Sequence, residues 1–395
     1  MKRRHLLTAG AALAAATGQA WAEPARAAGN PVRIGVALSQ TGDLANAAGH
    51  YFDGLKLWRD QVNAAGGLLG RPVEFVTYDD RSDPATAARL FERLITSDNV
   101  DLLMSSLGSA TTATGSAVAE RHKRIFFNAG GAAEKIQQRG FHYVFQTAAP
   151  SHAYQQQLGP MAKHYGFKTF VCISRDFPAA RDAGQDLHTI VEGLGGRLLL
   201  ESYFPQGTVD YSSYIAQARQ LNPDVWFSTA YPNETIEMVR QLRAVNYLPR
   251  VFVCNGVVQD DFIQAVGKDG EQAVGISAYE PIVPTPGNAA FVAAFHAAYN
   301  ADPGYYSAFG YVGGTVVEAA VKQAGSLDQE ALRTVLTTLK LPTVMGRHEV
   351  DPKTGAQLGV AGLLVQVLGG KREVIWPETL RTAQPIIPEQ PWSKR

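Results

Sequence analysis

"VRIGVALSQTGDLANAAGHYFDGLKLWRDQVNAAGGLLGRPVEFVTYDDRSDPATAARLFERLI" (residues 32–95) switches twice between two kinds of pattern. "VRIGVAL" (32–38) is a short apolar run of strand length. Leu55, Trp58 and Val62 then recur at three- and four-residue spacing, which predicts a helix stopped at Gly66-Gly67. "VEFVTY" (73–78) is a second strand-like run. Pro84 opens a second helix, whose apolar face carries Ala87, Leu90, Phe91 and Leu94. Strand, helix, strand, helix within 64 residues is the pattern of a parallel sheet covered by its crossover helices.

The alternation continues through "VDLLMS", "RIFFNA", "YVFQTA", "TFVCIS", "RLLLES", "DVWFST", "VFVCNG" and "VGISAY". About five strands precede residue 149 and about five follow it. Two doubly wound lobes account for them better than a single ten-stranded sheet. From residue 288 the pattern is helical: "AAFVAAFHAAY", "SAFGYVGGTVVEAAVKQ" and "QEALRTVLTTL". A hairpin-like tail follows, "LLVQVLGGKREVIW", turning at Gly369-Gly370.

Lys+Arg and Asp+Glu both number 36, so no basic field points to nucleic acid or an anionic membrane. Lys2, Arg3 and Arg4 precede a short apolar run from Leu6 to Ala16, and Ala20-Trp21-Ala22 is a small-x-small cleavage site. Residues 1–22 are therefore read as an export signal cleaved near Ala22, of the general secretory or the twin-arginine kind. No later run reaches the ~18 apolar residues of a membrane span. The mature protein is expected to be exported. No nucleophile elbow, zinc-binding His pair or phosphate loop is present, so no enzyme is predicted and no cofactor or metal is called for.

In open parallel sheets ligands sit beyond the carboxyl ends of the strands, where helix N-termini point. "LLMSSLGSATT" is such an end. Seven Ser or Thr residues lie between Ser105 and Ser116, with Ser109, Ala110 and Thr111 at the expected capping turn. Two readings stand: the hydroxyls cap a helix, or they and the free N–H groups hold a small anion. "FFNAGGAAE" (126–134) is a second strand end in the same lobe.

"SQTGDLA", "NAAGGLLGRPVE" and "YDDRSDPATAA", in that order, resemble the leucine/isoleucine/valine-binding proteins, periplasmic solute receptors of ABC importers. "QQRGFHYVFQTA", "DYSSYIAQARQLNPDVWFSTAY" and "WPETLRTAQPIIPEQPW" extend the resemblance over the mature chain. It implies an α/β fold of two doubly wound parallel-sheet lobes joined by a three-strand hinge. Lobe one would take 31–149 plus 280–356, and lobe two 150–279 plus 357–380. It also implies a monomer, located in the periplasm, that closes on a small-molecule ligand and docks on ABC permease membrane subunits. The family's strand order, 2-1-3-4-5, would put one strand between Cys172 and Cys254. That leaves them ~10 Å apart, beyond the ~7 Å limit of a bridge, so two free buried thiols are expected. A small disulfide common in relatives is absent, since Ser82 and Gly108 occupy its positions.

By the same resemblance, Ser109 matches the residue that binds the ligand carboxylate, and Ala110 and Thr111 continue that turn. Gly131 matches a backbone contact, and Ala132 replaces a Thr. The family's two acidic ammonium ligands are replaced by Ser151 and Asn255. Burying an ammonium with no counter-charge costs several kcal/mol, whereas micromolar binding amounts to about 8 kcal/mol. The expected ligand is thus a small carboxylate without an α-amine, aromatic or branched. The alternatives are an amino acid, an amide, or a sensing role. Arg181, with Arg175 as a weaker candidate, would clamp the acid from lobe two. Tyr231 and Tyr306 would hold the apolar body. Ala47 replaces a large aromatic and makes room, with Asn46 and His50 nearby.

Overall fold

The computed structural model describes residues 29–395; the predicted leader over 1–22 lies outside the described residues. The first half runs β1 (Val32–Leu38), α1 (Ala45–Ala64), β2 (Val73–Asp79), α2 (Pro84–Thr96), β3 (Leu102–Met104), α3 (Ser109–Arg121), β4 (Phe126–Asn128) and β5 (Val144–Gln146). The strands are all parallel in the order β2-β1-β3-β4-β5. β3, β4 and β5 are buried along their whole length, as strands covered on both faces must be. α1 buries Tyr51, Leu55, Trp58 and Val62 and ends before Gly66 and Gly67, both at positive φ. α2 starts where Asp83 Oδ1 accepts the Thr86 N–H at 2.7 Å and Pro84 fills the first turn.

The second series is α4 (Ser151–Gln155), α5 (Leu158–Tyr165), β6 (Thr169–Arg175), α6 (Pro178–Gly193), β7 (Arg197–Phe204), α7 (Ser212–Leu221), β8 (Val225–Ser228), α8 (Pro232–Ala244), β9 (Val251–Cys254), α9 (Asp260–Val266) and β10 (Val274–Ser277). Its parallel order, β7-β6-β8-β9-β10, repeats that of the first sheet. The helical segment follows as α10 (Asn288–Tyr299), α11 (Tyr305–Ala324) and α12 (Gln329–Leu336). A small hairpin, β11 (Leu341–Thr343) and β12 (Gly346–His348), comes next, and then the tail hairpin β13 (Leu363–Leu368) and β14 (Lys371–Trp376). β13 pairs antiparallel with β10 and extends the second sheet. The result is two doubly wound α/β lobes. The β11–β12 hairpin is an addition to the sequence reading, since "LPTVMGRH" is too short and too irregular to show a period of two.

The chain crosses between the sheets three times: after β5, after β10 and after β12. The third crossing is tied to the first. The Gln146 N–H donates to Gly355 O at 2.8 Å, and the Gln357 N–H donates to Gln146 Oε1 at 3.2 Å. Gly355 has φ +69°, and a Cβ there would lie 2.2 Å from Val144 O, so only glycine lets the strands approach this closely. α11 returns to the first lobe and packs along α1 through reciprocal glycines. A Cβ on Gly54 would meet Ser307 O at 1.9 Å, and one on Gly310 would meet Tyr51 O at 2.0 Å.

Candidate functional site

A cavity opens between the two sheets at the carboxyl ends of their strands. Leu107, Ser109, Gly130 and Ala132 line it from the first sheet. Phe177, Thr229, Tyr231 and Asn255 line it from the second. Ser151, Tyr154 and Gln155 stand on the first crossing, and Tyr305, Tyr306 and Phe309 on α11. Its water-accessible space is 60 Å³, room for about four to six waters and hence for a small molecule. Among the described residues, none of the lining side chains is charged.

Helix ends supply the field instead. First-turn residues of α3 (Ser109), α6 (Ala179) and α11 (Tyr305), and the N-cap of α8 (Tyr231), all face the cavity. The ends of α3, α6 and α11 carry partial positive charge and N–H groups without intrahelical partners. At α8 the Tyr231 N–H is taken by Glu234 Oε2 at 2.9 Å, and that acid offsets the helix end.

The neutral side chains are oriented by their second bonds. Ser109 Oγ accepts the Ala133 N–H at 3.2 Å, which leaves the hydroxyl hydrogen free to donate into the cavity. Asn255 Oδ1 accepts the Ala230 N–H at 2.8 Å, which leaves its NH₂ as a donor. Thr229 Oγ1 is buried and has no hydrogen-bond partner among the described residues. On the crossing the polarity reverses. Ser151 Oγ donates to Glu134 Oε1 at 3.3 Å, and Gln155 Nε2 donates to Asp186 Oδ2 at 2.7 Å, so both turn acceptor oxygens inward.

The seven-residue hydroxyl cluster divides sharply. Ser105 Oγ accepts the Ala129 N–H, and Ser106 Oγ donates to Asp80 Oδ2 at 2.6 Å. Thr111, Thr112, Thr114 and Ser116 donate to backbone carbonyls. Only Ser109 reaches the cavity. No hydroxyl of the stretch caps α3 by a side-chain bond, so the capping reading is not realised; Ser109 alone is placed where the anion reading needs it. The N-cap itself is Gly108, one residue earlier than the sequence predicts. A Cβ at Gly108 would lie 2.7 Å from Leu44 Cδ1.

Six of the ten sequence candidates line the cavity: Ser109, Ala132, Ser151, Tyr231, Asn255 and Tyr306. Ala110 and Thr111 follow on α3 without lining it; Thr111 Oγ1 is spent on Gly108 O at 2.9 Å. Gly131 is consumed internally: its N–H donates to Asn128 Oδ1 at 2.8 Å, and its carbonyl accepts from Asn128 and Gln146. Arg181 is corrected outright. Its fork takes both oxygens of Asp176 at 2.9 Å and lies 3.7 Å over the exposed face of Tyr203, away from the cavity. An arginine in the first turn of α6 reaches back to an acid just before the helix, and that local pair outcompetes a distant ligand. Ala47, Asn46 and His50 line a smaller neighbouring recess, where Asn46 Nδ2 donates to Asp261 Oδ2 at 2.7 Å.

Tyr154 and Tyr305 escape the sequence reading, although Tyr305 adjoins a named candidate. Burial and their neighbouring phenols push the hydroxyls of Tyr154, Tyr305 and Tyr306 far above the ordinary tyrosine range, and burial does the same for Tyr231. All four stay neutral donors. Acids missed in the sequence stand one layer out. Glu134 accepts from His152 Nδ1 at 2.7 Å. Burial opposes its ionisation, but the bonds and charge of His152 and the Ser151 hydroxyl outweigh this and hold it below the usual carboxylate range. The Glu134 bond is also the main cause that raises His152. Burial, then the Glu134 charge, lifts Asp186.

Residues 31–371 match the periplasmic binding protein family, and the chain belongs to it. Family membership makes it a solute-binding protein rather than an enzyme. It is 25% identical over 407 residues to Leu/Ile/Val-binding protein homolog 7 of Brucella abortus (strain 2308), covering 98% of this chain and 100% of that one. A solute-binding protein of an ABC transporter from R. palustris, solved with benzoate, shares the fold with a TM-score of 0.81 at 21% identity; the match covers 91% of this chain and 100% of that one. The branched-chain amino acid transporter substrate-binding protein LivJ of Streptococcus pneumoniae, solved with isoleucine, does so with 0.77 at 21%, covering 88% and 100%.

Proposed function

We infer that the protein binds one small organic carboxylate, aromatic or branched, between its lobes, closes on it and delivers it to an ABC permease. One observation carries this reading: among the described residues no acid lines the cavity, while the N-termini of α3, α6 and α11 and the donors of Ser109 and Asn255 converge on it. An anion is stabilised there, and a naked ammonium is not. The rings of Tyr231, Tyr306 and Phe309 suit a flat or branched body. The R. palustris relative solved with benzoate holds a ligand of this class, whereas the S. pneumoniae relative solved with isoleucine holds one that carries the amine. The working unit is a monomer, exported to the periplasm and trimmed near Ala22. Lobe one comprises 31–149 plus 280–356, and lobe two 150–279 plus 357–380.

A second reading, an amino acid, is favoured by one feature. The acceptor oxygens of Ser151 and Gln155 are backed by Glu134 and Asp186. Thermal-shift titration with the matched set leucine, 2-hydroxy-4-methylpentanoate and 4-methylpentanoate, together with benzoate, separates the two. The carboxylate reading expects stabilisation by acids that lack the amine. Stabilisation by leucine alone establishes the amino-acid reading in its place.

A further inference from the structure

Arg175, the last residue of β6, is absent from the cavity wall but sits directly behind it. Its side chain is 8% exposed. Its guanidinium lies 4.9 Å from the ring centre of Tyr231 and 5.9 Å from that of Phe177, and those two rings stack at 5.3 Å. Both rings line the cavity on their inner side. On the outer side Arg175, Tyr231, Glu234 and Asp43 line a separate recess at the mouth. Arg175 NH1 reaches Glu234 Oε1 at 3.3 Å within its own lobe. Arg175 NH2 reaches Asp43 Oδ2 at 2.5 Å, and Asp43 belongs to the β1–α1 loop of the other lobe.

We propose that Arg175 is a positioning residue that fixes the Phe177–Tyr231 wall and latches the lobes by taking Asp43 only on closure. Separation of the lobes breaks the Asp43 bond and leaves those to Glu234 and the two rings, all of which come from lobe two. The cation thus keeps a counter-charge throughout. Opening never strands it, and closure adds a charge-assisted bond whose partner is drawn from water. Asn46 and Asp261 make a second cross-lobe bond on the other side of Tyr231. The latch acts on whichever solute fills the cavity. It sets how long the cleft stays shut rather than what enters.

The test is single-molecule energy transfer on the full mature chain. Dyes go on K123C in lobe one and Q220C in lobe two, both exposed positions. Asp43→Asn should shorten closed dwells about five- to tenfold, the loss of one charged hydrogen bond. Asp43→Glu should restore most of the dwell time, which a merely structural role for the loop would not. Closed dwells as long in D43N as in the wild type, or a wild type with no closed dwells, overturn the latch. Millimolar benzoate is added in a separate arm. Its failure to lengthen wild-type dwells counts against the carboxylate reading and leaves the D43N comparison decisive for the latch.

Discussion

Ser109 Oγ and the Ala133 N–H are joined at 3.2 Å, a bond that links the first turn of α3 to the loop after β4 and aims the serine hydroxyl at the cavity. Replacing Ser109 with Ala removes the aimed donor. If the hydroxyl bonds a carboxylate, the best acid ligand should lose ~1–3 kcal/mol of affinity, measured by calorimetry. An unchanged dissociation constant would remove Ser109 from the site.

Cys172 and Cys254 should behave as two independent buried thiols. Cys172 is registered with Phe227 on β8, and Cys254 with Ser228 on the same strand, so β8 runs between them. Burial pushes the Cys172 thiol up to about 12 and raises that of Cys254 as well. Alkylation without reductant should add two labels in denaturant and essentially none to the native protein. A mass shift of zero in denaturant would reveal a disulfide.

His348 should make folding acid-sensitive. It is fully buried, and Gln357 Nε2 lies 3.0 Å from its Nδ1; burial holds its pKa at about 4. The folded pKa is below the unfolded value, so the unfolded chain takes up the proton first as pH falls. The stability owed to the neutral ring is complete above the unfolded value near 6.5, and it disappears as pH drops to about 4. This amounts to about 3 kcal/mol. Urea midpoints at pH 7 and pH 4 should differ more in the wild type than in His348→Asn; equal differences would count against the assignment.

Asp80 is a structural knot rather than a catalytic acid. Oδ1 accepts from Ser39 Oγ at 2.7 Å and from the Ser82 N–H at 2.8 Å, and Oδ2 accepts from Ser106 Oγ at 2.6 Å. It therefore binds the ends of β1, β2 and β3 beneath the site. Asp80→Ala should cost ~2–3 kcal/mol in denaturant unfolding by orphaning buried donors. A change within a few tenths of a kcal/mol would show that they find other partners.

Gly310→Ala should both destabilise and disturb the cavity. The new methyl would be forced against Tyr51 O, and α11 would have to lift from α1, an overpacking cost of about 1–3 kcal/mol. α11 opens at Tyr305 and Tyr306, so ligand affinity should fall along with the melting temperature. A stable variant with intact affinity would mean that the helices separate without moving those rings.

Most of the fold is legible because its signals are local. Apolar runs such as "TFVCIS" and "VFVCNG" fall on β6 and β9, and Pro84 and Gly66-Gly67 mark helix ends in place. The site is less legible because contacts across long stretches of chain decide it. Ser109 differs from its six hydroxyl neighbours only in which way its helix turn faces. Arg181 and Arg175 look alike in "SRDFPAARDAG", yet one is spent on Asp176 and the other reaches Asp43, 132 positions away. Glu134 stands behind Ser151 only once the 3-10 turn at Glu134–Ile136 and the first crossing bring residues 134 and 151 together.

The uncharged lining has a further consequence for cargo release. On the proposed reading, a receptor that grips an anion through hydroxyls, amides and peptide dipoles would need no proton uptake and no counter-ion to let go. Mechanical parting of the two jaws is enough to rehydrate the solute. On that reading unloading would follow the parting of the lobes and not the titration of any group in the lining.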